Sequence, residues 1–473
     1  MTDSEHEEST RILCASVVLG HAGARERVLQ WARDHGTAVA PEIGLDMRLI
    51  LQLAHWAERR SFLCWLSYLV LASVALLLLA AGWTSLAITF AGITGATLWM
   101  SLHIRERNQL APFFTAARFD KDEVAKNFPA KVPAPETARI PRRDQNLVVY
   151  GAFTPFIGAG VDLGGWSVAI AIDKPKENLL GTPQVQPFTT SELYAEMDGY
   201  VNALRLDRMA QHDVYFTSGA TIRDDRALLP NVYGEPTQRL NDLSAERLRL
   251  RGDRKVRHYR CYRVLDWGGD LALSYYIRCA LRGNTLFVET KRFILPPMAT
   301  KYRSIDDVVH VRFKEWAATT TKALFLGPIC VAAAPIFIAA QVGDKVHGWL
   351  RTKEKERREE IDRCPQYNFG AKHCLRQDMA SEHYHHYFQL IDGDFYNKVL
   401  QREILDGLVD FLDQHGIDTT DLRDRQTTIL NSGLIVQGGD VRADAISVGP
   451  GARATKHAAS SMLHRRAAGE AAQ

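Results

Sequence analysis

Apolar positions run without a single charge from residue 61 to 102, and the run pauses only at Gly82-Trp83-Thr84-Ser85. Each half is about long enough for one bilayer crossing, so the pattern predicts a transmembrane helical hairpin over 62–104. Upstream, in residues 1–61, the pattern takes on a helical period. Two amphipathic helices are expected, over 9–34 and 43–60, the second carrying a stripe of Met47, Ile50, Leu51, Ala54 and Ala57. Residues 105–144, with Pro129, Pro133, Pro135 and Pro141, read as a linker.

Beyond 145 the period shortens to that of strands. Residues 147–150 and 166–172 flank a glycine-rich loop, and 190–206 reads as a helix capped by Thr190 or Ser191. A strand at 213–217 follows, then three more at 257–265, 271–281 and 285–295. The connections Trp267-Gly268-Gly269-Asp270 and Arg282-Gly283-Asn284 have hairpin-turn chemistry. Strands enclosing one helix and then an antiparallel meander predict a membrane-anchored α+β fold, with its main soluble domain at 145–315. A helical region at 343–426 is marked by Val399, Leu400, Ile404, Leu408, Phe411 and Leu412, and Gly416 closes it. The last segment, 427–473, is β-prone at its start.

Charge refines the topology. The net charge of +3 over 473 residues implies no bulk affinity for nucleic acid. Arg48, Arg59 and Arg60 precede the hairpin, and Arg105, Arg107, Arg118 and Lys121 follow it. The positive-inside rule therefore places both hairpin ends, and the main soluble domain, in the cytoplasm of a multi-pass cell-membrane protein. No cleavable signal peptide is expected at the N-terminus.

A third apolar stretch, 323–342, contains Pro328 and Pro335 and is followed by Lys345, Arg351, Lys353, Lys355, Arg357 and Arg358. Three readings stand open: a re-entrant loop kinked at its prolines, a third span, or a buried helix hairpin. Seven scattered cysteines give no disulfide framework. Were the third stretch to cross, Cys364 and Cys374 would be free to pair outside the cytoplasm.

Candidate chemistry is sparse. The loop Pro155-Phe156-Ile157-Gly158-Ala159-Gly160 resembles a nucleotide-binding turn, and also the Gly-Ala-Gly loop of sirtuin-like NAD hydrolases. The element after it alternates like a strand, whereas a phosphate loop opens a helix. Cys364, His373, Cys374, His383, His385 and His386 have zinc-binding atoms at spacings that do not suit a structural zinc site. Asp266, Asp270 and Glu289 read as solvated strand ends. No catalytic residue, cofactor or metal is assigned.

The tail is more specific: Ile435, Val436, Gln437, Gly438 and Gly439 combine β-propensity, low charge and an amide that stacks in ladders. Val436-Gln437-Gly438-Gly439 resembles the core of the RIP homotypic interaction motif and of bacterial amyloid-signalling motifs. Residues 440–452 are similar to a turn of a bactofilin-like β-solenoid. These resemblances imply self-association, with a second copy or a protein bearing a matching β motif as partner beside the lipid bilayer. The segments 150–166, 217–230 and 258–297, with Cys261-Tyr262-Arg263-Val264-Leu265-Asp266-Trp267-Gly268-Gly269-Asp270 among them, resemble a group of uncharacterised actinobacterial membrane proteins.

The expectation is a non-enzymatic signalling, effector or scaffold protein. The alternative is a membrane-bound enzyme with a nucleotide or NAD pocket near Gly158–Gly160.

Overall fold

The computed structural model describes residues 7–176, 185–206, 208–251, 255–303, 305, 313–350 and 353–431. Its helices are α1 (Glu7–Leu19), α2 (Ala24–Arg33), α3 (Met47–Ala80), α4 (Thr84–Arg105), α5 (Lys121–Asn127), α6 (Ala134–Ala138), α7 (Thr190–Ala203), α8 (Asp242–Arg251), α9 (Phe313–Leu350), α10 (Lys353–Arg363), α11 (Leu375–Asp378), α12 (Tyr387–Gln414) and α13 (Thr420–Asn431). Its strands are β1 (Leu147–Tyr150), β2 (Val161–Asp162), β3 (Ser167–Ala171), β4 (Met209–Ser218), β5 (Val256–Asp266), β6 (Leu271–Arg282) and β7 (Thr285–Leu295). They form one mixed sheet in the order β1-β4-β5-β6-β7-β2, with β3 also on β7. The pair β1–β4 is parallel, and β4–β5–β6 is an antiparallel meander. The fold is α+β, as the sequence pattern predicts.

The chain divides into two compact units, residues 1–162, 206–278 and 293–381 in one, and 163–205, 279–292 and 382–473 in the other. In the first, α1, α2 and the opening turns of α3 bury a shared apolar core with Phe114, Val124, Phe128, Met298, Tyr302 and Ile305. The stretch read as a linker is thus packed. Glu136 on α6 is buried and meets His55 of α3 at 2.6 Å.

The stripe at 47–57 and the first apolar run are one helix, not two. Asp46 caps α3 by accepting the Leu49 amide (3.2 Å), and the helix continues unbroken to Ala80. Gly82, at φ +83°, makes the turn into α4.

Among the described residues, three helices are long and apolar enough to cross a membrane: Met47–Ala80, Thr84–Phe114 and Thr319–Gly343. The third lies within α9, one continuous helix despite Pro328 and Pro335. The stretch is thus a single helix rather than a helix hairpin. The freed backbone groups at two prolines are tolerable because α9 packs on the other helices. A Cβ on Gly327 would lie 2.4 Å from the Ala96 backbone, Val331 and Ala334 pack with Tyr68 and Ala72, and Trp65 stacks on Phe337 at 4.3 Å.

In the second unit β3 pairs antiparallel with the first half of β7, and α12 packs on α7 through Tyr200, whose hydroxyl donates to Asp410 (2.5 Å). The N-cap of α7 is Thr189, one residue before the expected position. It forms a capping box with Glu192, because only its extended backbone lets the hydroxyl reach the Glu192 amide.

Candidate functional site

The glycine loop at 155–160 is built for packing. Phe156 fills the centre of an aromatic cluster, with ring centroids 4.8 Å from Phe293, 4.9 Å from Tyr276, 5.0 Å from Phe216 and 5.4 Å from Tyr259. Gly158 has φ +83°, and a Cβ there would lie 2.6 Å from the Pro41 carbonyl and 3.2 Å from Cys374 Sγ. Its amide donates to Gln377 Oε1 (2.9 Å). At Gly160, φ +97°, a Cβ would overlap the backbone of Ile294 and Leu295. These glycines are required by close chain approach, and the Gly158 amide that a phosphate would seek is already engaged.

Close to this loop lies a buried polar cluster that the sequence pattern did not reveal. The Glu42 carboxylate accepts the amides of Leu375 (2.8 Å) and Arg376 (2.8 Å), and Cys374 Sγ lies 3.4 Å away. Burial pushes the Glu42 carboxyl up to about 7 against the downward pull of those two amides. Arg376 is fully buried and donates to the carbonyls of Asp270 (2.9 Å) and Pro296 (2.8 Å).

Asp270 is 1 % exposed, so its reading as a solvated strand end is corrected. Its carboxylate accepts the Met298 amide (3.0 Å) and pairs with Arg303. The turn Trp267–Asp270, with Gly268 at φ +65° and Gly269 at φ +84°, turns that carboxylate inward, while Ser9 of α1 donates to the Gly269 carbonyl (3.0 Å). Buried charge here pins α1, the β5–β6 turn and the 374–376 segment together.

A second polar group ties β4 to β5. Asp213 meets His258 at 2.9 Å, Arg260 at 3.3 Å and Arg249 at 4.0 Å. Burial raises the Asp213 carboxyl, but His258 and the two arginines outweigh it and hold it at about 2. Asp266 pairs with Arg208 (2.8 Å), and Glu289 lies on β7 opposite Ser167.

Among the described residues no group of three or more His, Cys, Asp or Glu is arranged to hold a metal ion. Cys364 is exposed, Cys374 is buried against Pro41 and Glu42, and both are free thiols rather than a disulfide. The interaction residues Ile435, Val436, Gln437, Gly438 and Gly439 lie outside the described residues. The β-prone reading that begins at 427 meets helix instead over 427–431, the last turn of α13.

A surface feature of α12 also escaped the sequence reading. Phe388 (65 % exposed), Ile391 and Phe395 (52 % exposed) stand out on it, although its later apolar positions, Leu400, Ile404, Leu408 and Leu412, are buried as expected.

A model of the AbeC-like domain matches residues 165–442, more than half of the chain. The chain belongs to the AbeC-like domain family. The AbeC-like match begins just before β3, covers α9, α12 and α13, and runs eleven residues past Asn431. That family is uncharacterised, and no curated protein and no solved structure matched the chain.

Proposed function

We propose that this AbeC-like protein is a membrane-anchored signalling or scaffold protein without enzymatic activity, whose soluble residues share the cytoplasmic face and whose tail recruits like segments. The observation that carries the reading is α3. One rigid helix begins in the buried soluble core at Met47 and ends past the apolar run at Ala80, so soluble body and membrane anchor are mechanically one piece.

The two flanks of α9 support the topology. Before it, Ile305 is buried with α1 and α3; after it, Ile361 and Phe369 are buried with Leu147 and Tyr215. Residues 361–364 are held further by Arg223, which donates to the carbonyls of Ile361 (2.9 Å) and Cys364 (2.8 Å). One compact unit cannot occupy both sides of a bilayer. Eighteen residues at helical rise cover only about 27 Å, too little to return from the far side after a crossing. We read α9 as a helix embedded beside the hairpin with both ends on the cytoplasmic side, where the basic residues at both its flanks favour it.

Self-association through Ile435–Gly439 is supported by composition and by the resemblance to amyloid-signalling motifs.

Labelling with a membrane-impermeant maleimide tests the topology in intact spheroplasts carrying Cys64→Ala and Cys330→Ala. The introduced thiol of Ser85→Cys, in the hairpin turn, should react, and native Cys364 should react only after lysis. Reaction of Cys364 in intact cells overturns the topology. Truncation after Asn431 should abolish co-clustering, and an unchanged oligomer size in detergent overturns tail-mediated assembly.

A further inference from the structure

The exposed stripe of α12 lies on the same helix face that α13 already covers. From α13, Arg423 Nη2 donates to Asp413 (2.5 Å) and Gln426 Nε2 to Asp406 (2.5 Å). Advancing three residues along α13 moves the contact back along α12, so the two helices run antiparallel. At 100° per residue, positions 413, 406, 395, 391 and 388 all fall within about 40° of one line. The seat of α13 and the stripe Phe395, Ile391 and Phe388 are thus successive stretches of a single face.

The C-terminal end of α13 points along that line. Asn431 is five residues past Gln426, which at about 1.5 Å per residue brings it level with position 401 of α12. Phe395 lies about 9 Å further and Phe388 about 20 Å further. An extended chain, at about 3.3 Å per residue, would span the first distance in about three residues and the second in about six, to 434 and 437. The residues due there are Leu434, Ile435, Val436 and Gln437, in a stretch from 426 to 439 that carries no charge. The AbeC-like match ends at residue 442, just past them.

We propose that the segment 434–437 of this chain occupies the Phe388–Ile391–Phe395 stripe of its own α12. The stripe is apolar and exposed, the segment is apolar and within reach of it, and both belong to the matched domain. The inference goes beyond the proposed function and adds a control on it: a segment seated in cis is withheld from other copies, so assembly requires its release.

The test places p-benzoylphenylalanine at Phe395 in the full-length protein, reconstituted in phospholipid vesicles from an equal mixture of light and isotopically heavy copies. Crosslinked peptides joining residue 395 to 432–442 should carry one isotope label throughout. Mixed-label links to 432–442 overturn the cis seat while sparing tail-mediated self-association, and links to lipid or elsewhere, or none to the tail, overturn the seat outright. In a second measurement, hydrogen exchange over 388–398 should quicken at least fivefold in Leu434→Asp/Ile435→Asp, with 400–412 still protected as the sign of an intact α12. Unchanged exchange at 388–398 overturns the proposal. Loss of oligomers on truncation after Asn431 reports separately on self-association.

Discussion

Replacing Glu42 with glutamine should remove most of one pH-dependent component of stability. The Glu42 carboxyl is buried, and its pKa rises from the ordinary 4.5 to about 7. Between those values the folded protein holds a proton that the unfolded chain releases. Stability from this group is therefore complete below pH 4.5, falls as pH rises toward 7, and is level above it. The gap corresponds to about 3 kcal/mol at 1.36 kcal/mol per unit. Glutamine carries no charge to desolvate; its one oxygen keeps one of the Leu375 and Arg376 amides while its NH2 faces the other, a loss that does not vary with pH and so leaves the difference in pH slope intact.

Thermal melting of both proteins in the same detergent, from pH 5 to pH 8.5, measures the effect as a difference. The wild type should lose about 2–3 kcal/mol more than Glu42→Gln across that range. Other titrating groups are common to both and cancel. Parallel pH profiles would refute the reasoning, because they would mean that Glu42 is ionised in the fold at little cost, its charge met by Arg376 and the two amides.

Asp270→Asn should cost about 3 kcal/mol, since it leaves Arg303 without its carboxylate beside the buried Arg376; an unchanged melting midpoint would contradict the role given to this cluster. Gly327→Ala puts a Cβ about 2.4 Å from the Ala96 backbone and should loosen α9 from α4 at a cost of about 1–3 kcal/mol. Limited proteolysis over 313–350 reads it, and wild-type resistance would count against the packing. Gly158→Ala meets the Pro41 carbonyl from a left-handed backbone and should destabilise the fold by about 1–3 kcal/mol. An unaltered melting curve would show that the loop has room to spare.

What was legible in the sequence is what local chemistry determines. Period-two runs and glycine turns located β5, β6 and β7, and the uncharged run located the hairpin, because each signal is complete within a dozen or so residues. The buried cluster was not legible. Glu42 and Arg376 are 334 positions apart, and Asp270 and Arg376 are 106 apart. Asp270 sits in a turn, where acidic residues are ordinarily solvated, and only α1 and Arg303 closing over it make it buried. The 105–144 stretch misled for a related reason: prolines that signal a linker also fix a backbone that packs, as Glu136 against His55 shows.

The third apolar stretch joins the two kinds of signal. Its length argued for a crossing and its flanking charges argued against one, and no local rule could rank them. The fold adds a third term, since residues before and after α9 are buried in one unit through Ile305, Ile361 and Phe369. Separating them by a bilayer would forfeit both cores, whose apolar side chains are worth about 1.5–3 kcal/mol each. Only part of α9 is covered by the other helices, through Tyr68, Ala72 and Gly95, and Leu324, Phe325, Ile329 and Ile336 remain exposed. Charge and core packing thus point the same way, against length, and this is the basis of the topology proposed above.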